Sequence, residues 1–201
     1  GVAAGRKLVE LYGDEEGKVS DENAKIGYVG AWPYAEVISG YTSFYLGAKS
    51  VCPTVTMDVQ FTGSWYDATE EKNAAEALIA KDCKLISQHA DSMGAPSACE
   101  AAGIPNVSYN GSTYDSCPET FIIASKINWA PYFEYIIDCV QNDKAIDTDW
   151  TGTIATGSVE ITALGGAAAA GTQEKLDEVK KGLQDGTIKV FDCSTFTVEG
   201  K

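Results

Sequence analysis

The chain has 201 residues, a formal net charge of −14, and 44% hydrophobic against 22% charged residues. That length can bury a substantial core in one large or two small domains. The acidic balance excludes the basic patches that bind nucleic acid or anionic lipid. The softest stretch, residues 163–171, is mostly alanine and glycine, well short of the roughly 20 apolar residues of a membrane span.

A helical pattern opens the chain at Gly1-Val-Ala-Ala-Gly-Arg-Lys-Leu-Val. Such a start in mid-pattern, without methionine, reads as a trimmed or mature fragment. After an acidic, glycine-containing linker at 13–23, the first strand covers 26–31. A helix over 34–49 follows, with Val37, Ile38, Tyr41, Phe44 and Tyr45 at helical spacing, ending before Cys52-Pro53. Residues 55–62 alternate as a strand. Asp67 then caps a helix with Glu70 three residues on, as in a capping box, and the helix runs on through Ala74, Ala75, Leu78 and Ile79. A short strand at 85–88 and a helix at 95–102, closed by Gly103 as a left-handed cap, precede strands at 107–109 and 121–125. This alternation predicts an α/β fold with a doubly wound parallel sheet. Short apolar strands without clean alternation fit a sheet covered on both faces.

Past residue 128 the rhythm changes. Trp129, Phe133, Ile136, Ile137 and Val140 line one helix face, and a polar loop at 141–149 leads to strand character at 158–162. A charged helix spans about 173–184, ended by Asp185-Gly186, and a last strand is expected at 188–193. Residues 1–127 therefore read as one α/β lobe. Residues 128–201 are too few and too irregular for a core of their own, and are expected to complete a neighbouring lobe.

Cys52, Cys83, Cys99, Cys117, Cys139 and Cys193 sit at wide, irregular spacings, with no Cys-x-x-Cys and one histidine, which argues against structural zinc. Cys52 and Cys83 each immediately precede a predicted strand, and would lie close enough to bridge if those strands are neighbours.

Parallel sheets place ligands at the carboxyl ends of their strands. Here those ends carry Trp32, Trp65, His89, Asp91 and Asn110. Trp65, after Gly63-Ser64, either packs under the next loop or offers a flat face to a ligand. Trp32 precedes Pro33, where helical geometry is disfavoured and the chain turns. His89 and Asp91 are a ligand contact, a satisfied polar pair or a hydrolytic dyad, and no Gly-x-Ser-x-Gly elbow accompanies them. Asn110 can donate and accept to a sugar hydroxyl or base edge, yet Asn-Gly is also a turn dipeptide. Gly27-x-x-Gly30 is a weak phosphate signal without Gly-x-Gly-x-x-Gly or a P-loop, so no cofactor is implied. The acidic runs lack calcium-loop spacing. An aromatic cleft with a few polar groups favours a binding module over an enzyme.

Several motifs carry a family resemblance: Gly1-Val-Ala-Ala-Gly with Lys25-Ile-Gly-Tyr-Val-Gly; Gly40-Tyr-Thr-Ser-Phe-Tyr-Leu-Gly-Ala-Lys; Thr62-Gly-Ser-Trp-Tyr-Asp with Lys72-Asn-Ala-Ala-Glu-Ala-Leu-Ile; and Asn128-Trp-Ala-Pro-Tyr-Phe. Together they resemble the basic membrane protein family of ABC-transporter substrate-binding lipoproteins. The resemblance implies a bilobed periplasmic-binding-protein fold of type I, with a purine nucleoside or base held between lobes that close by hinge motion. It also implies a permease partner and a lipid tether at the extracellular face or in the periplasm. In that frame Trp65 stacks on the base, Trp32 lies in a cleft-facing loop, and Lys126 lies near a ligand-facing lysine. Asn110 stands where many members place an acidic residue on ribose hydroxyls, a departure that favours a free base or modified ligand. The resemblance starts in the first helix of the second lobe, so the chain reads as the C-terminal portion of such a protein. Self-association through exposed residues such as Trp129 and Phe133 is then expected. A ligand-sensing receptor of the same fold, for a sugar or other small polar molecule, and a His89/Asp91 hydrolase are the alternatives.

Overall fold

In the computed structural model, which describes residues 1–192, strand and helix alternate close to the predicted boundaries. Val2–Tyr12 (α1) leads to Lys25–Gly30 (β1), Ala35–Lys49 (α2), Thr56–Phe61 (β2), Ala68–Ala80 (α3) and Leu85–Gln88 (β3). Gly94–Ala102 (α4), Asn106–Tyr109 (β4) and Phe121–Ile127 (β5) complete the alternation. Gly103 closes α4 with φ +66°, the left-handed cap expected of it. The strands lie in the order β2-β1-β3-β4-β5-β6, where Val159–Ile161 is β6. β1 through β5 run parallel, and β6 joins β5 antiparallel. Because β1 sits between β2 and β3, successive crossovers diverge there, leaving a crevice at the carboxyl ends of β1 and β3.

Both sheet faces are covered, which explains the missing alternation in the strands. Ile26, Tyr28, Leu85 and Val107 cluster with Leu8 of α1 and Phe44 and Ala48 of α2. Val29 and Ile86 cluster with Ala74, Ala75 and Leu78 of α3 and Ala95 and Ala98 of α4. A Cβ on Gly27 would lie 2.6 Å from Ile86 Cδ1 and 3.1 Å from Leu78 Cβ, so glycine there lets α3 approach the sheet. Gly27 and Gly30 are thus packing positions within a strand, not a phosphate loop.

Three expectations need correction. Asp67 caps α3 by accepting from the Thr69 and Glu70 N–H groups, both at 3.0 Å. The reciprocal acceptor for the Asp67 N–H, however, is Glu71 at 3.1 Å, not Glu70. Cys52 and Cys83 are free because β1 separates the two strands they precede. Residues 188–192 form no strand: the Ile188 N–H turns back to the Gly182 carbonyl at 2.9 Å, and the Ile188 side chain lies over that glycine. Cys193, the end of that expected strand, lies outside the described residues.

The segment expected to reach another lobe has parts in different places. β6 extends this sheet, and Thr172–Asp185 (α6) follows a turn that Arg6 of α1 holds through the Ala170 carbonyl at 2.6 Å and Thr172 Oγ1 at 3.3 Å. Ala130–Gln141 (α5) instead buries only Cys139. Among the described residues no helix is long and apolar enough to cross a membrane.

Candidate ligand-binding site

Each rim residue named from the sequence lies at or near the carboxyl end of a parallel strand. The chain leaves β1 through Trp32 and Pro33, and the Tyr34 N–H closes a tight turn on the Trp32 carbonyl at 2.8 Å. That turn stacks the two rings, with centroids 6.0 Å apart and planes 15° apart. Tyr34 also meets Trp65, from the loop after β2, at 6.2 Å and 46°. Tyr34 thus joins the aromatic residues of two loops into one patch.

The Trp65 loop is fixed from below. Gly63 has φ +73°, and its N–H reaches the Ala31 carbonyl at 2.9 Å. Trp65 O accepts the Asp91 N–H at 2.9 Å, tying the loop after β2 to the loop after β3. Glu71, fully buried at the start of α3, accepts the Asp67 N–H and, through both oxygens, the Ser92 N–H at 3.1–3.2 Å. One buried carboxylate therefore holds both loops by charge-assisted hydrogen bonds.

His89 lies beneath this surface. Its ring packs on Tyr109 at 4.2 Å and against Gly40 of α2, where a Cβ would come within 2.5 Å of Nδ1. Glu36 Oε1 is 3.7 Å from Nε2, beyond hydrogen-bond reach, and among the described residues neither ring nitrogen has a hydrogen-bond partner. Burial holds the imidazole pKa below its ordinary value, against the opposing pull of the Glu36 and Asp91 charges. The same burial raises the Tyr109 phenol, and both carboxylates add to that rise. Among the described residues no serine or cysteine is bonded to His89.

Asn110 and Lys126 stand further along the edge. Asn110 adopts φ +56°, its N–H reaches Ser125 O at 2.7 Å, and its Oδ1 accepts from the Ile127 N–H at 3.5 Å. Below it, buried Asn106 donates to the Ile86 carbonyl and Gln88 Oε1 and accepts from Ser108, which in turn contacts Thr113. Lys126 on β5 pairs with Glu160 of β6 at 3.4 Å. The structure therefore gathers Trp32, Trp65 and Asp91 with Tyr34, sets His89 underneath, and leaves Asn110 and Lys126 on the neighbouring strands. Sequence reasoning missed Tyr34, Glu36 and Glu71. The turn at Pro33 signalled the first, but the roles of the others depend on contacts between distant segments.

A separate cavity of about 680 Å³ opens between α1, α2, α6 and β6, lined in part by Leu46, Ile161, Leu176 and Leu183. Its size suits a small ligand, but among the described residues no aromatic and none of the rim residues line it. The rim, with stacked rings beside carboxylates at a topological switch point, is the better candidate.

The family model described as ABC transporter substrate-binding protein PnrA-like matches residues 11–190. The chain belongs to this family of solute-binding proteins. It is 27% identical over 190 residues to a putative ABC transporter glucose-binding protein of Haloferax volcanii, across 94% of this chain and 48% of that protein. A purine-binding protein of Brucella abortus is 36% identical over 107 residues, covering 53% of this chain and 31% of the relative. The chain thus spans less than half the length of these curated relatives. An ABC transporter solute-binding protein from Aeropyrum pernix K1 superposes with a TM-score of 0.72 at 17% identity, over 94% of this chain and 62% of that one. The fold is that of the type I periplasmic-binding proteins.

Proposed function

We propose that this chain is the ligand-binding lobe of an extracellular or periplasmic solute-binding protein that delivers a purine base or nucleoside to an ABC permease. The aromatic patch of Trp32, Tyr34 and Trp65 at the crevice beside β1 carries the reading. Flat rings there favour a flat ligand, and the neighbouring Asp91 and Glu36 carboxylates accept hydrogen bonds from ring N–H and amino groups. The purine-binding name of the Brucella relative supports the same ligand class. A second lobe would cover the ligand from above, and a lipid tether would hold the protein at the membrane. The protein then performs no reaction, since closure around the ligand is its whole output.

The glucose-binding name of the Haloferax relative favours a second reading, a sugar at the same rim. Calorimetric titration with adenine, guanosine, inosine and glucose separates the two. Heat on adding a purine, with weaker affinity in Trp65→Ala, is the expected result. Binding of glucose alone would overturn the purine assignment and leave the family membership intact.

A further inference from the structure

The structure assigns to Tyr34 the role of the ligand's stacking platform, with Trp32 as the backing that sets its plane. This rests on the proposal that the rim binds a flat heteroaromatic ligand. Tyr34 is the most exposed ring of the three, at 55% against 36% for Trp32 and 37% for Trp65. It is also firmly placed. Its N–H is bonded to Trp32 O at 2.8 Å, its carbonyl receives the Ile38 N–H at 2.9 Å, and its extended backbone (φ −88°, ψ 157°) makes it the N-cap of α2. Only side-chain torsions remain free, and the near-parallel Trp32 ring 6.0 Å away restricts them on one side. The tilted Trp65 ring 6.2 Å away restricts them on another.

Trp32 therefore lies against part of Tyr34 in an offset stack, and more than half of the Tyr34 surface stays open to a ligand. A base laid on that open surface would meet a rigid ring and would order no side chain on binding. Avoiding that ordering cost is how a preformed surface gains affinity. Trp32, packed beside Tyr34, acts on the ligand through that ring and is a positioning residue. Trp65 then borders the platform from the second loop, which is itself fixed to Asp91.

The inference makes the two stacked rings act as one unit, which a double-mutant cycle measures. Adenine is the probe, titrated calorimetrically into the wild type, Tyr34→Ala, Tyr34→Phe, Trp32→Ala and the double Ala variant. Tyr34→Ala should weaken adenine by about tenfold, the scale of one lost ring-on-ring contact. Tyr34→Phe should bind as the wild type does, because the hydroxyl makes no hydrogen bond among the described residues. Trp32→Ala should weaken binding less than Tyr34→Ala, and should change nothing further once Tyr34 is already Ala. Unchanged or tighter binding by Tyr34→Ala would overturn the platform, and tighter binding would mean that Tyr34 fills the ligand's place. Full additivity of the two Ala substitutions would overturn the backing role of Trp32. Failure of the wild type to bind adenine would overturn the purine reading, and the platform with it. Wild-type binding of adenine that is not weakened by Tyr34→Ala would overturn the platform alone.

Discussion

Glu71 illustrates how much of the site depends on one side chain away from its surface. Its carboxylate is fully buried, yet it answers N–H donors from two loops, at Asp67 and at Ser92. Removing it in Glu71→Ala strands the buried Ser92 N–H, and hydrogen bonds to a charged group contribute about 1.5–3 kcal/mol. Urea unfolding should show a loss of that size, with faster amide exchange at Ser92. His89 is the opposite case, a buried polar ring without a hydrogen-bond partner among the described residues. Its folded pKa is depressed, chiefly by burial, so the folded chain binds fewer protons than the unfolded chain. Stability from this residue is present above the ordinary histidine pKa of about 6.5 and is lost as pH falls through it toward the folded value. Unfolding midpoints compared at about pH 7.5 and about pH 5.5 should converge in His89→Gln relative to wild type. The rim positions of Trp32, Trp65, His89, Asp91 and Asn110 were legible in the sequence, because strand ends follow from apolar runs. Glu71 was not, because the capping-box spacing points to Glu70, and only the fold brings Ser92 to the neighbouring carboxylate.

Among the elements, α5 is the least satisfied. Trp129 at its N-cap, and Phe133, Ile137 and Val140 along it, are all exposed, while Tyr132 and Tyr135 pack with Trp150. An exposed apolar stripe of this kind drives association in water. Light scattering at rising concentration should show this chain growing beyond monomer, and Phe133→Glu with Ile137→Glu should hold it monomeric. A wild type that stays monomeric throughout would contradict this expectation. The helical period of this stripe was plain in the sequence, as were nearly all the other helices and strands, because each carries its own spacing and punctuation. The expected strand at 188–193 misled for a local reason. Its apolar residues follow Gly186, whose φ of +77° turns the chain so that Ile188 folds onto Gly182 instead of extending. Strand order was equally hidden. Nothing in the sequence around Cys52 and Cys83 shows that β1 comes between the strands they precede.

At the scale of the whole molecule, the strand order does two things at once. Placing β1 between β2 and β3 opens the crevice where Trp32, Tyr34 and Trp65 meet. It also puts β2 at one border of the sheet, while β6, paired with β5, forms the other among the described residues. Each border strand carries a carboxylate in its interior. Asp58 lies within β2, 3.0 Å from Lys25, and Glu160 is the middle residue of β6, 3.4 Å from Lys126. A second chain adding a strand at either border would have to desolvate a charged pair, on a molecule already carrying −14. Strand addition is thereby disfavoured at both borders. Association of this chain is thereby directed to the exposed face of α5 and away from the sheet edges.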